Sequence, residues 1–261
     1  MRIAIVGGTG FIGRPLAAQL TATGHEVIAI GRANADHAEP VEAVVHLLLF
    51  NEAGARAALE RWRGSARRFV AISSGDVYRV YGQLHGIEPW DGRPPGPLAE
   101  DAPLRTKLYP YGRSVPSPWG TLVDYEKILV ERAVGDAIIL RLPKVYGPGD
   151  RQRTFAREIA AGEARLDETI ARWRWTHGYV DDVAAAIALA ATHPRASGIY
   201  NLGERETPTM AERMAALCRV VVTPGGAPRP DLVLDTRRIR AELGFAEITP
   251  DPLARTARAY A

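Results

Sequence analysis

The sequence predicts an α/β fold built on a doubly wound parallel sheet, and three observations carry that prediction. Short unbroken apolar runs recur along the 261 residues, as in strands buried on both faces. Stretches with helical apolar spacing alternate with them. A glycine-bearing turn, Gly7-Gly8-Thr9-Gly10-Phe11-Ile12-Gly13, joins the first run to the first helical stretch.

The elements follow in order. Residues 3–6 form a strand, and Ile12, Leu16 and Leu20 mark the buried stripe of the next helix. Gly24-His25 separates that helix from a strand at 26–30, closing a βαβ unit within about 30 residues. Strands are expected at 43–49 and 68–73, with a helix at 52–62 between them. Residues 82–120, rich in Pro and Gly, read as long loops over the carboxyl edge of the sheet, where function collects. A helix at 122–134, a strand at 137–142 and a turn at 146–150 come next. A helix at 154–161, an Arg/Trp segment at 172–175, a helix at 183–191, a strand at 198–202 and a helix at 209–219 follow. The tail, with 235–245 and a helix at 252–260, reads as a small lobe. The expected organisation is a dinucleotide-binding core at 1–150, then a mixed segment at 151–261. Within the latter, about 178–203 complete the core and the remainder forms a small C-terminal substrate lobe.

With 46% hydrophobic and 24% charged residues, the composition is that of an ordinary globular protein and excludes disorder as the dominant state. The formal net charge of +3 does not amount to a basic face, so nucleic acid is not suggested as a partner. The one cysteine, Cys218, excludes an intrachain disulfide framework, fits a reducing compartment and is expected to pack on a helix. Met1 leads directly into the first strand, so no signal peptide is expected. The longest apolar stretch, 43–50, is broken by His46 and is far too short to cross a membrane. No His, Cys or Asp cluster has metal-ligand spacing. The expectation is a cytoplasmic protein with a small-molecule substrate, a homodimer being one option for its assembly.

Each glycine of the first turn has a physical reason if the turn holds a pyrophosphate. Gly7 makes the tight turn, Gly10 lets the phosphates approach the backbone, and Gly13 allows close packing of helix on sheet. This is the Rossmann arrangement, and it makes Gly7, Thr9, Gly10, Phe11, Ile12 and Gly13 the candidate cofactor-binding residues. The end of the second strand selects the cofactor: an acid accepts hydrogen bonds from the adenosine ribose, whereas an arginine pairs with a 2′-phosphate. Gly31-Arg32 stands there, so NADP is favoured, with NAD as the alternative.

The turn also resembles the opening of the extended short-chain dehydrogenases/reductases, the NAD-dependent epimerase/dehydratase family. The resemblance extends over nearly the whole chain. Ser73-Ser74-Gly75-Asp76-Val77-Tyr78 is similar to the family strand that carries the catalytic Ser or Thr, and the 141–149 stretch Arg-Leu-Pro-Lys-Val-Tyr-Gly-Pro-Gly to its substrate-side turn. His177-Gly178-Tyr179-Val180-Asp181-Asp182-Val183-Ala184, Tyr200-Asn201-Leu202-Gly203 and Leu243-Gly244-Phe245 resemble later signatures. The family pattern implies a catalytic Ser/Thr, a Tyr acting as acid or base, and a Lys four residues later that lowers the Tyr pKa and holds the nicotinamide ribose.

Two departures from the pattern stand out. Taking Lys127 as the family lysine puts Val123 at the tyrosine position; Tyr125, two residues from Lys127, falls on nearly the opposite helix face and reads as packing. Tyr111, in Tyr111-Gly112-Arg113-Ser114, mimics the family tyrosine, but Val115 and Pro116 replace what should follow. Residues 33–42 are also too few for the usual third strand, whose loss would leave the adenine more exposed. Atypical relatives with an altered Tyr/Lys pair include chloroplast stem-loop RNA-binding proteins.

Ser74 is the candidate for orienting a substrate oxygen, with a strand-ending role as the alternative. Asp76 or Tyr111 is the candidate for moving the proton, and Lys127 for holding the nicotinamide ribose; Asp76 serves equally well as a loop or capping residue. If 172–175 is extended, two Arg lie on one side and two Trp on the other, a strip able to clamp an anion and stack a ring. His46 and His177 read as structural, and Asp181 and Asp182 as serving a helix N-terminus. The expected activity is an NAD(P)-dependent oxidoreductase or epimerase/dehydratase-like enzyme on a small polar carbonyl or alcohol, with sugar- or nucleotide-linked substrates included. The alternative is a catalytically altered dinucleotide-binding protein working as a sensor or RNA-binding module. The missing tyrosine favours it; the retained Ser74 and Lys127 oppose it.

Overall fold

The computed structural model describes residues 1–31, 39–108, 114–117, 120–123 and 125–260, with 114–117 and 120–123 described as backbone. The first βαβ unit is β1 (Arg2–Val6), α1 (Gly13–Ala22) and β2 (Glu26–Ile30). Then come β3 (Val41–His46), α2 (Glu52–Trp62) and β4 (Ala66–Ser74), which runs into a 3₁₀ turn at Gly75–Val77. α3 (Arg79–Leu84), the antiparallel hairpin β5 (Ser114–Ser117) and β6 (Gly120–Val123), α4 (Lys127–Val134) and β7 (Ile138–Leu142) follow. After β8 (Lys144–Tyr146) come α5 (Ala156–Ala161), β9 (Glu163–Asp167), α6 (Glu168–Arg172), β10 (His177–Tyr179) and α7 (Val180–Thr192). The chain ends through β11 (Ile199–Asn201), α8 (Met210–Ala215), β12 (Arg219–Thr223), α9 (Arg237–Leu243) and α10 (Pro252–Tyr260).

Six parallel strands form the central sheet in the order β11-β7-β4-β3-β1-β2. As the short 33–42 stretch implies, the family's usual strand after β2 is absent among the described residues: β3 pairs on the far side of β1, and β2 is the sheet edge. Alternation along the strands divides the core. Ile3, Ile5, Val45 and Val70 face α1, α7 and α9 through Leu16, Leu20, Val183, Ile187, Ile239 and Leu243, whereas Ala71 and Ile139 face α2 and α4 through Ala55, Ala58, Val130 and Val134. Full burial of Leu16 and of Leu20 stabilises the fold by about 2 kcal/mol each.

Three expectations are corrected. The helix read over 122–134 begins at Lys127, because Glu126 is extended and its side chain accepts the Ile128 N–H as the cap. Residues 120–123 belong to the hairpin instead, so Val123 is not on the helix of Lys127. Cys218 lies past the end of α8 rather than on a helix, half-buried and without a disulfide partner. Beside the main sheet, β8 pairs with β10 and β9 with β12, both in parallel. No helix of the described residues is long and apolar enough to cross a membrane.

Candidate functional site

The glycine turn has the shape its spacing implies. Gly7 adopts φ +89°, a region that L side chains avoid, and its N–H donates to the carbonyl of Ile30. A Cβ on Gly13 would lie 2.2 Å from the Gly7 carbonyl oxygen, and one on Gly8 would lie 2.8 Å from Cα of Ala29, so α1 closes onto the turn, and the turn onto β2, only because both positions lack side chains. Gly10 is exposed. The N–H groups of Phe11 and Ile12 have no acceptor among the described residues and stand at the positive end of α1. An open cradle of unpaired donors at that end fits a dinucleotide pyrophosphate.

A cleft of about 310 Å³ opens beside this turn. Its lining includes Phe11 and Ile12, Ser74 and Asp76 at the carboxyl end of β4, and Lys144 and Trp175 from the neighbouring chain. Ser74 pairs with Leu142 across the sheet. Its Oγ accepts the Asp76 N–H at 3.3 Å, so the alternative of a turn-capping serine is realised in geometry, while the hydroxyl hydrogen stays available to the cleft.

Asp76 is 8% exposed. Tyr125 donates its phenolic hydrogen to Asp76 Oδ2 at 2.7 Å, whereas Oδ1 is buried without a partner among the described residues. Burial raises the Asp76 pKa, opposed by the Tyr125 hydrogen bond and by the charges of Arg105 and Lys127. Tyr125 is therefore not the packing residue that helical phase suggested. Because α4 starts only at Lys127, Tyr125 sits on extended chain, its ring 5.8 Å from the Lys127 ammonium.

Lys127 is 5% exposed and turned onto the main chain, donating to the carbonyls of Leu49 and, at 3.0 Å, Ile72. Burial lowers its pKa to about 8, with Asp76 and Glu131 opposing. It is thus placed beside Asp76 electrostatically rather than at the cleft surface. Arg105 supports the same corner: its guanidinium donates to the Asp76 carbonyl at 2.6 Å and to both oxygens of Glu126.

Arg32 and Tyr111 lie outside the described residues. The Arg/Trp strip is extended over 173–175 but not at Arg172, which ends α6. Trp173 and Trp175 share a side, with ring centroids 5.2 Å apart. His46 and His177 are both held below the ordinary histidine range, chiefly by burial; for His46 the value falls to about 4. The His177 ring contacts the Trp175 carbonyl at 2.6 Å. Asp182, in the first turn of α7, accepts the N–H groups of Ile248 and Thr249 and so ties down the C-terminal segment. A second cavity of about 150 Å³ lies near it, but the carboxylates lining it, among them Glu204 with Arg213 and Glu247 with Arg240, are engaged.

A parallel doubly wound sheet, a glycine turn opening a helix, and a cleft at the strands' carboxyl ends define a dinucleotide-binding α/β protein of Rossmann type. Residues 3–60 and 48–203 match the model of the NAD dependent epimerase/dehydratase family, and the chain belongs to that family. A 3-diazoavenalumate denitrifying reductase from a Streptomyces species is 28% identical over 270 residues, covering 88% of this chain and 83% of that protein. Among solved structures, an Agrobacterium tumefaciens short-chain dehydrogenase/reductase superfamily protein with bound NAD superposes with a TM-score of 0.69 at 22% identity, covering 99% of this chain and 97% of that one. UDP-glucose 4-epimerase from Thermus thermophilus, in complex with NAD, gives 0.68 at 21% identity, covering 100% and 99%. Both structural likenesses concern the fold.

Proposed function

We propose that this protein is a nicotinamide-dinucleotide oxidoreductase acting on a small polar carbonyl or alcohol, in which Asp76, backed by Tyr125, handles the proton that a helix-borne tyrosine handles in the family pattern. The observation that carries this reading is the half-partnered Asp76 carboxyl at the cleft: one oxygen held by Tyr125, the other buried and unpaired among the described residues. Bound along the glycine turn, the dinucleotide would supply or accept a hydride at the cleft. Phe11 and Ile12 N–H would hold its pyrophosphate, with Gly7, Thr9, Gly10 and Gly13 shaping the turn. In the reducing direction Ser74 donates a hydrogen bond to the substrate oxygen. Asp76, its pKa raised by burial, delivers a proton to that oxygen as the C=O π bond opens. Lys127 acts through position and charge: it fixes the loop after β3 to β4 and holds down the Asp76 pKa. The reductase activity described for the Streptomyces relative supports the redox reading over epimerisation. Arg32 speaks for NADP, whereas the solved neighbours are described with NAD.

Fluorescence titration with NADH and NADPH, then turnover on a carbonyl panel, tests the proposal. Submillimolar binding of one dinucleotide and turnover that collapses in Asp76→Asn are expected. Absence of dinucleotide binding overturns the whole reading, and full turnover in Asp76→Asn removes the proton role. Binding without turnover on any carbonyl would favour the sensor or RNA-binding alternative.

A further inference from the structure

We propose that the β8 side of the cleft is a subsite for a planar aromatic acid, Lys144 taking the carboxylate and Trp175 stacking the ring. The proposal rests on the reading that substrate and dinucleotide meet in this cleft. Lys144 opens β8, two residues beyond Leu142, the cross-strand partner of Ser74. The Lys144 backbone is thus no more than about 7 Å of chain beyond Leu142, and both Lys144 and Ser74 line the cleft.

The charge at Lys144 lacks a hydrogen-bonded counter-ion among the described residues. Its ammonium donates to the neutral side-chain amide of Gln152. The nearest acid, Asp150, acts on it only through space, and the Asp150 oxygens already accept from the N–H of Gln152 and from the N–H and hydroxyl of Thr154. Burial pushes the Lys144 pKa down despite Asp150. A half-buried cation paired only with an amide is stabilised by a ligand anion.

Trp175 flanks that charge. Lys144 pairs with His177 between β8 and β10, and its N–H donates to the Thr176 carbonyl at 3.2 Å, which puts Trp175 on the adjoining chain. The indole is fixed from behind by Trp173 at 5.2 Å and His177 at 5.5 Å, and Trp173 is itself pinned by its Nε1 donating to the Pro230 carbonyl at 2.9 Å. Around it the cleft wall is Tyr81, Leu142 and Leu232. This apolar part of the wall suits a flat ring, while Ser74, Asp76, Asp150 and Gln152 supply its polar part. A rigid aromatic face beside the Lys144 ammonium, with Arg151 also at the cleft, matches a ring carrying a carboxylate.

The experiment loads the protein with whichever of NADH or NADPH it binds. It then measures by calorimetry the affinity for trans-cinnamate, trans-cinnamamide and UDP-glucose. Cinnamate is expected to bind about tenfold or more tightly than its amide, the order of one charge-assisted hydrogen bond. Lys144→Gln should erase that preference and Lys144→Arg keep it, while Trp175→Leu weakens acid and amide alike. Equal binding of acid and amide, no binding of cinnamate, or tighter binding of UDP-glucose overturns the subsite. The dinucleotide titration preceding each run separates the two failures: a protein that binds the dinucleotide but shows no acid preference loses this inference alone. One that binds no dinucleotide loses the reading beneath it.

Discussion

Two buried carboxylates on neighbouring elements have opposite surroundings. Glu131 of α4 is saturated: Oε1 accepts from Ser73 Oγ at 2.5 Å and from Arg141 Nε at 3.0 Å, and Oε2 accepts from Arg141 Nη2 at 2.8 Å. Arg141 passes the network on to Tyr78 and the Glu100 carbonyl, Tyr78 donates to Asn201 Oδ1, and Asn201 donates to the carbonyls of Leu98 and Asp235. Asp76, in the turn after β4, keeps one oxygen without a partner among the described residues. A completed network locks β7, β11 and the 78–100 stretch together, and an incomplete one at a cleft keeps a proton in play. On the proposed function, the difference separates polar burial that serves the fold from polar burial that serves chemistry.

That contrast has consequences that can be measured. Asp76→Asn is expected to lower turnover by about 10²–10⁴-fold, the range of general acid–base catalysis. Its stability should lose the pH dependence that Asp76 confers. A raised folded pKa gives stability that is full at low pH and lost as pH rises through that pKa, so urea unfolding at pH 5 and pH 8 should differ less in the variant than in the wild type. A larger difference would contradict the assignment. Arg141→Leu is expected to cost about 3–5 kcal/mol in the same assay, because it strands Glu131 in the interior. A loss under 1 kcal/mol would show that the network is not what holds β7 in place.

His46 gives an acid-side effect of about 3 kcal/mol. Its pKa is held near 4 by burial, with the Lys127 and Arg61 charges adding, against an ordinary 6.5. The corresponding stability is present above pH 6.5 and drains away as pH falls toward 4, and His46→Gln should flatten that slope. Tyr125→Phe is the smallest, costing about 1 kcal/mol of stability for one hydrogen bond. It also removes a donor that lowers the Asp76 pKa, so the alkaline limb of the rate profile should move upward. A downward shift would mean that Asp76 does not set the limb.

The sheet was legible because its strands are continuous apolar runs: the expected 26–30 strand and the 52–62 and 252–260 helices coincide with β2, α2 and α10. The narrow gap after β2 likewise pointed to the missing third strand. Ser74 and Asp76 stood out through the family pattern. Tyr125 did not, because its helical phase was counted from a start at Leu122, while 120–123 form β6 and Glu126 is still extended. Glutamate is a poor signal for a helix cap, so nothing local marked the true boundary. The hairpin at 114–123 did carry a turn signal, the Pro116-Ser117-Pro118-Trp119-Gly120 cluster between two short β-prone pieces. Lys144 could be read only as part of a turn motif, since its missing counter-ion depends on how Asp150 folds back onto Thr154.

Arg105 binds the Asp76 carbonyl, the Lys107 carbonyl and the Glu126 carboxylate through one guanidinium, and Glu126 in turn caps α4. Both side chains of that ion pair are 1% exposed. Neither the turn after β4 nor the start of α4 can open alone without stranding a charge. The reacting corner and the helix that carries Lys127 are thereby one cooperative unit, and their amide hydrogens should exchange with solvent at a single shared opening free energy.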